Sequence, residues 1–353
     1  MCKIDMGIDS FSCTYSLTPK QKSSILGALR MRPKFRTRCS DYFDCTYDYT
    51  SDCFAGQGIK LRVSRHKGSV WNLTVTVHPT LLLGDPDRSA LFCPDKETAK
   101  KVTSEADLLL KEICCPCKLK NMELYRVDIT ANLIFETATP VENYLRILKK
   151  SLILPRYHVE QFKKGEGKAK DCKEANRHSY KQSCKAASFF AYDKTAQLEM
   201  IDASPASLVG RRVLRLEVQL HRKGMRKWVS KDHMDSNGKV LKTLYEKAGD
   251  ILRWYLGRLQ LKGQRHVRYK EAKEMINGLR SKKTRERMLY LLRKASDRKS
   301  LSAAIEDLRA EFGLKSGQIN RVLKKFDKLG ISPITLTNAD NEENLPALAG
   351  LLG

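Results

Sequence analysis

Residues 213–221 read V-L-R-L-E-V-Q-L-H, and their alternation decides the fold. In a strand, successive side chains point to opposite faces, so Leu214, Leu216, Val218 and Leu220 line one side while Arg215, Glu217, Gln219 and His221 line the other. The stretch from Leu124 to Phe135 repeats the pattern, and its Tyr125-Arg126-Val127-Asp128-Ile129-Thr130 segment presents Arg126, Asp128 and Thr130 opposite the apolar set. A third strand is expected over Ala187 to Ala196, where Tyr192 and Lys194 share a face. Strands with one apolar and one polar face predict an antiparallel sheet with helices packed on one side and a polar face left open.

Working outward, alternation over Gly58 to His66 and Val70 to Pro79, joined by Lys67-Gly68, predicts a β-hairpin. Its second strand places Trp71, Leu73, Val75 and Val77 on one face and Asn72, Thr74, Thr76 and His78 on the other. Helical spacing runs from about Lys96 to Cys114. T-P-V-E at Thr139 offers an N-cap, a proline at the first helical position and a glutamate three residues after the cap, so a helix should start there and reach about Leu152. Residues 160–185 are polar, lysine-rich and interrupted by glycine, the composition of a mobile basic segment. From about Lys239 onward Val240, Leu241, Leu244, Ile251, Leu252 and Leu256 follow a helical period. The fold class expected is therefore α+β: a catalytic-type sheet domain over residues 1–235, a basic all-helical domain over 236–337, and a loose tail over 338–353.

The 353 residues carry 66 Lys and Arg against 40 Asp and Glu, a net charge of +26, which points to a polyanionic partner. Between Ser236 and Gly330 there are 25 basic and 10 acidic residues, so much of the surplus lies in the helical part. With 41% apolar residues the chain can build a core and is not disordered. Apolar runs such as Leu81 to Leu83 fall far short of the ~20 residues needed to span a bilayer, and no signal-peptide pattern opens the chain; a soluble, unsecreted protein with no membrane partner is expected. Eleven cysteines, an odd number scattered through the first 184 residues, suit reduced thiols better than disulfides. Cys114 and Cys117 form a C-x-x-C that Cys172 and Cys184 could complete as a zinc site, although structural zinc usually shows two clean close pairs.

Two mid-strand carboxylates, Asp128 and Glu217, each follow an arginine at i−2. A charged group there is costly to bury unless paired, so the pattern means either two Arg–carboxylate pairs or a divalent-metal pair of the kind that holds Mg²⁺ or Mn²⁺. Tyr192 becomes a nucleophile only with a cation nearby to stabilise its phenolate, and Lys194 could supply that charge or hold a phosphate oxygen. Near the C-terminus a helix ending at Gly313, a cap at Ser316 and an apolar stripe of Ile319, Val322, Leu323 and Phe326 have helix-turn-helix spacing. Gln318, Asn320, Arg321, Lys324, Lys325 and Lys328 would then face bases and phosphates, unless the pair is a basic hairpin that merely packs on the sheet domain.

The order of these elements, the G-I-K-L-R-V hairpin, the Y-R-V-D-I-T strand, the capped helix, F-F-A-Y-D-K-T and V-L-R-L-E-V-Q-L, resembles the replication initiation endonucleases of filamentous phages, the gene II/X type. More distantly it is similar to rolling-circle plasmid initiators. The resemblance covers most of residues 55–225. It implies a metal-dependent nickase acting on double-stranded origin DNA and the displaced single strand. Such an enzyme forms a 5′-phosphotyrosyl link, leaves a 3′-OH primer for the host helicase and polymerase in the bacterial cytoplasm, and religates the strand. Position by position it makes Tyr192 the nucleophile, Lys194 the phosphate-binding lysine and Asp128 and Glu217 metal carboxylates; Arg126 and Arg215 join the DNA-binding set. The histidine-hydrophobe-histidine metal motif of many such enzymes is absent, since Val77-His78-Pro79 holds one histidine, leaving His78 as a third-ligand candidate or an ordinary strand-end residue. Where related initiators carry a second acid, this chain has Asn132. A role for Tyr180 as a second tyrosine stays open. The rival reading is a non-catalytic DNA-binding replication or transcription regulator. A tyrosine recombinase is disfavoured because Tyr192 lies on a mid-chain strand.

Overall fold

The computed structural model describes residues 2–40, 46–65, 69–161, 169–259, 261, 265–298, 300–337 and 344–353, the side chains of 37–40, 46–47 and 169–172 excepted. The first part of the chain forms β1 (Lys3–Leu17), α1 (Pro19–Arg30), β2 (Phe35–Ser40), β3 (Thr46–Ser51), β4 (Ile59–Arg65), β5 (Trp71–Val77), the single turn α2 (Pro79–Leu82) and α3 (Lys96–Lys111). The middle part forms β6 (Glu123–Phe135), α4 (Thr139–Lys150), β7 (His158–Glu160), α5 (Ala169–Arg177), β8 (Ser179–Ser183), β9 (Ala187–Asp193), α6 (Lys194–Glu199) and β10 (Arg212–His221). The last part is mainly helical: α7 (Arg222–Met225), α8 (Asn237–Glu246), α9 (Ala248–Arg258), β11 (Arg265–Val267), α10 (Tyr269–Asn277), α11 (Lys282–Asp297), α12 (Leu301–Phe312), α13 (Ser316–Leu329), β12 (Asn344–Pro346) and α14 (Leu348–Leu351).

Ten strands form one sheet in the order β2-β3-β4-β5-β1-β6-β10-β9-β8-β7, every neighbouring pair antiparallel. The α+β expectation holds at this level. β4 and β5 pair as the hairpin reading required, with Lys67-Gly68 outside the described residues. Val127, Ile129, Ala131 and Leu133 of β6 and Leu214, Leu216 and Val218 of β10 are buried on one face, where α4, α8 and α9 pack. Helices α1 and α3 bury Ile25, Leu26, Leu29 and Val102, Ala106, Leu110 in the same core. Fully burying one such side chain contributes about 1.5–3 kcal/mol, so these stripes, rather than helix propensity, anchor the helices.

Several expectations change. The helix at Thr139 begins one residue earlier than a cap there would place it: Ala138 is the N-cap, without a side-chain cap bond, and Thr139 is helical. The strand expected over 187–196 ends at Asp193, whose Oδ1 accepts from Ala196 N at 2.9 Å and starts α6. The segment read as mobile and basic, 160–185, supplies the last residue of β7, all of α5 and β8; Tyr180 and Gln182 are buried because β8 extends the sheet, which the lysines and glycines scattered through the segment concealed. Residues 162–168 of that segment lie outside the described set. The polar face is open only in part. Residues 85–92 lie across it over Arg215 and Asn132, joined to β1 by Ile8 N to Phe92 O and Phe92 N to Ile8 O, both 2.9 Å, while Lys60 and Arg62 of β4 stay exposed. Gly7 makes this approach feasible, since a Cβ there would stand 2.8 Å from both Leu91 Cβ and Phe92 O.

The apolar core continues from the sheet into the helices, reaching Leu352. Leu152 N donates to Leu259 O at 3.3 Å, and Ile153 N to Ser302 Oγ at 3.1 Å. The tail is not loose where it is described: β12 pairs with β11, Leu348 is buried, and Pro346 O accepts from Tyr144 Oη at 2.8 Å. Alternation in three residues is too short a pattern to announce such docking. Among the described residues no helix is long and apolar enough to cross a membrane.

Candidate active site

The site begins with a slip in β1. Its apolar residues fall on even numbers through Ile8 and on odd numbers from Phe11 to Leu17. Both sets face the core only because the register jumps between Ile8, opposite Ile129, and Ser10, opposite Asp128. Asp9 is the extra residue of this β-bulge, a device that bends a strand and re-aims a side chain. The bulge directs Asp9 towards Arg215 and His78 on the polar side of the sheet: Asp9 Oδ1 accepts from Arg215 Nη1 at 2.5 Å, and Oδ2 lies 3.9 Å from His78 Nδ1. Gly58 helps place that histidine. It adopts φ +78°, its carbonyl accepts from His78 N at 2.7 Å, and a Cβ there would stand 2.6 Å from His78 O.

Arg215 lies between Asn132 on β6 and Tyr192 on β9 and is 0% exposed. Its Nε donates to Asn132 Oδ1 at 2.8 Å and its Nη2 to Ser89 O at 2.7 Å, which pins the covering segment to the sheet together with Asn132 Nδ2, 2.8 Å from the same carbonyl. Asp128, 2% exposed, accepts at Oδ2 from Ser10 Oγ at 2.5 Å and from Arg126 Nη2 at 3.0 Å. Glu217 accepts at Oε1 from Gln219 Nε2 at 2.9 Å and at Oε2 from Tyr192 Oη at 3.4 Å.

Burial first, and then the proximity of Glu217 and Asp9, pushes the Asp128 carboxyl up to about 8 against the pull of Arg126. Burial and the Asp9 charge raise Glu217 as well. Asp9 goes the other way: burial acts upward, but Arg215, Lys194 and His78 together bring it below the usual range. Tyr192 is pushed well above 10 by burial and by Glu217, with Arg215 opposing, so it rests as a neutral phenol. Lys194 is pushed down to about 8 by burial and by Arg215. His78 is lowered, chiefly by burial, and is neutral at neutral pH. Asp128 Oδ1 is buried without a hydrogen-bond partner, as is Thr130 Oγ1. An orphaned buried carboxylate oxygen between two further acids is chemistry that a hard cation would satisfy, although among the described residues no three His, Cys, Asp or Glu side chains are gathered as a metal-ligand group.

Tyr192 and Lys194 open onto a cleft of about 600 Å³ lined also by Asp9, His78, Lys34, Arg36, Lys60 and Arg88. Lys34, Arg36, Lys60 and Arg88 are exposed. Their charge outnumbers that of Asp9 and Asp52 on the same walls, which suits the cleft to phosphate.

The structure thus brings together Tyr192, Lys194, Asp128, Glu217 and His78. Lys194 starts α6 rather than continuing the strand, and its Nζ donates to Gln197 Oε1 at 3.0 Å. Arg126 forms the Arg–carboxylate pair with Asp128 that was one of the two readings of that motif. Arg215 makes no ion pair with Glu217 and does not reach the surface; it is fully buried and turned to Asp9, Asn132, Ser89 and Tyr192, so its expected contact with DNA is withdrawn. Tyr180 is 5% exposed, within reach of Ser151 and Gln182, and far too enclosed to act as a second nucleophile in this arrangement. Cys172, one of the thiols considered for zinc, has its side chain outside the described residues.

On α13, Ile319, Val322, Leu323 and Phe326 are buried and Asn320, Arg321, Lys324, Lys325 and Lys328 are exposed. Gly313 closes α12 in the left-handed conformation, as expected. Lys315 rather than Ser316 is the N-cap, and Gln318 is half-buried with its Oε1 accepting from Lys315 N at 2.9 Å, which reduces its availability to a base. Asp9, Lys34, Arg36, Lys60 and Arg88 were missed from the sequence; the parity slip at Asp9 was the one legible signal. No protein-family model matches the chain, and no curated protein matches its sequence.

Proposed function

We propose that the protein is a tyrosine-dependent DNA nickase and strand-transfer enzyme that initiates rolling-circle replication. The observation that carries this reading is the placement of Tyr192: its phenol reaches Glu217 Oε2 while the same residue lines a cleft walled by five cationic side chains. With a phosphodiester in that cleft, Lys194 and its cationic neighbours hold the non-bridging oxygens. The Tyr192 oxygen bonds to phosphorus, its proton passes to Glu217, and the P–O3′ bond breaks, the 3′ oxygen taking a proton from water. The bond energy is kept in the 5′-phosphotyrosyl link, and attack by a later 3′-OH reverses the step and religates the strand.

Asp128 and Glu217, with Asp9 between Arg215 and His78, are the residues that would hold Mg²⁺ or Mn²⁺, His78 being the further ligand considered. Such an ion supplies Lewis-acid charge to the phosphate oxygens. The duplex origin would be gripped partly by the exposed basic face of α13, and the 3′-OH would be passed to host helicase and polymerase in a bacterial cytoplasm.

The test is a denaturing gel of protein incubated with labelled single strands of random sequence, and with supercoiled DNA carrying the origin, in Mg²⁺, Mn²⁺ or EDTA. A covalent adduct on the 5′ side of the break, dependent on metal and lost in Tyr192→Phe, is expected. Tight DNA binding with no adduct under any condition would replace this reading by that of a non-catalytic regulator.

A further inference from the structure

Tyr192 lies between two cavities. Besides the cationic cleft, it lines a second space of about 360 Å³ whose floor is the cross-strand row Lys181, Phe190 and Glu217 and whose walls are Ala175 of α5, Ala196 of α6 and Met200 at the C-cap of α6. This volume falls in the range of ligand cavities, about 300–1,000 Å³. The two cavities differ in kind. The cleft is rimmed by exposed cations, whereas the second space is lined mainly by apolar atoms, with Phe190, Met200 and the two alanines among its walls and Ser179, His178, Asp193 and Gln197 also lining it.

Gln197 also lines both spaces. Met200 is 59% exposed at the mouth, an unusual position for a large apolar side chain that no described residue covers. The Lys181 ammonium sits 4.6 Å from the Phe190 ring centre, so the floor already attracts positive charge to an aromatic face.

We infer that this second cavity seats one unstacked nucleobase of a single DNA strand, the base next to the phosphate that lies in the cationic cleft. The inference rests on the proposed nickase reading, which it deepens by giving a base of the strand, and not only its phosphate, a seat beside Tyr192. Successive groups along a strand alternate between an anionic phosphate and a flat apolar base. The two cavities meeting at Tyr192 alternate in the same way, one cationic and one apolar. A duplex keeps its bases stacked and hydrogen-bonded inside, so it can fill the first but not the second; enzymes that act on such substrates extrude the base. Stacking on Phe190 and contact with Met200 would be indifferent to sequence, because every base has a π-face.

The test reads equilibrium binding in EDTA, where no adduct forms, by fluorescence anisotropy of labelled five-nucleotide strands. Two probes of equal charge are compared: five thymidines, and a backbone of five tetrahydrofuran abasic units. Wild type is expected to bind the thymidine strand roughly ten-fold more tightly, the scale of one base stacked on an aromatic side chain. Ala196→Trp, which fills the space from its wall, should abolish that difference and leave abasic-strand affinity unchanged. Unchanged abasic binding also shows that the variant is folded. Met200→Ala should reduce the preference several-fold. Lys60→Gln should weaken both probes equally.

Equal affinity of wild type for the two probes overturns the inference, and so does a base preference that survives Ala196→Trp. These outcomes are separable from the nickase reading. A covalent adduct without base preference refutes the base site alone, while base preference lost in Ala196→Trp with no adduct refutes the nickase chemistry and keeps the base site.

Discussion

Replacing Arg215 by methionine tests whether the buried guanidinium is the element that holds the site together. The substitution keeps an unbranched side chain in a fully buried position and removes three donated bonds at once, leaving Asp9 Oδ1 and Asn132 Oδ1 without that partner and Ser89 O with Asn132 Nδ2 alone. Breaking one buried ion pair costs about 3–5 kcal/mol, because the surviving charge stays desolvated. Here that charge, Asp9, faces Glu217 and Asp128 as well, while its side chain stays 20% exposed at the cleft, so the middle of the range applies. A loss of about 4 kcal/mol is a large share of the 5–15 kcal/mol typical of folded proteins. Urea unfolding followed by tryptophan fluorescence measures it as a drop in midpoint at unchanged slope. The mechanism makes a second demand: Arg215→Met combined with Asp9→Asn must be less destabilised than the two single changes added, with a coupling of at least about 2 kcal/mol. A single-mutant cost under about 1 kcal/mol, or additivity within about 0.5 kcal/mol, would refute the assignment.

Three further outcomes follow from other residues. His266 is fully buried, its Nδ1 donates to Ile334 O at 2.8 Å, and burial pushes its pKa down to about 4 from 6.5. The unfolded chain therefore takes up the proton first as pH falls. Stability is full above about 6.5 and drops by about 3 kcal/mol on the way to pH 4; urea midpoints at pH 7 and 4.5 should converge in His266→Asn, and an equal drop in that variant would count against the assignment. Asp128 has the opposite sign: a carboxyl raised to about 8 favours the folded state when protonated, and that contribution disappears as pH rises through 8. Asp128→Asn should be more stable than wild type at pH 9, by at least about 1 kcal/mol, yet form no adduct; a less stable variant would show that Arg126 dominates instead. Neutralising Lys324, Lys325 and Lys328 together by glutamine should flatten the dependence of log K on log salt for duplex DNA by about 2.7, at roughly 0.9 per phosphate contact. An unchanged slope would remove α13 from the DNA interface.

The periodic parts of the fold were legible because burial on one face forces a period of two or 3.6 into the sequence. This is why β6, β10, the β4–β5 hairpin, α3 and α12–α13 fall where alternation and spacing put them. Short strands without such a face were not: β12 owes its place to β11, distant in sequence, β8 pairs with β9 across a short turn, and their polar or brief patterns carry no local mark. At the site, Asp128, Glu217 and Tyr192 could be read because each interrupts a regular strand. Asp9 lay in a strand whose parity changes midway, and the meaning of that change became visible only with its neighbours β5 and β6 in place. The assignment of Arg215 to DNA failed for a related reason. Alternation tells which face a side chain occupies, but not that residues 85–92 will cover that face.

The register of the sheet also orders events in time. β1 is flanked by β5 and β6, and Ser10 meets Asp128 across 118 residues of sequence while Asp9 meets Arg215 across 206. Until those partners are made and paired, β1 presents two unsatisfied edges to its surroundings. Closure of such long loops is slow, so the polar cluster forms among the last contacts of the sheet. During synthesis the chain passes through a long interval in which this central strand is unpaired and the residues of the candidate site are still apart. A cell making it rapidly would rely on chaperones at that stage, and unmatched strands would be its main route to aggregation.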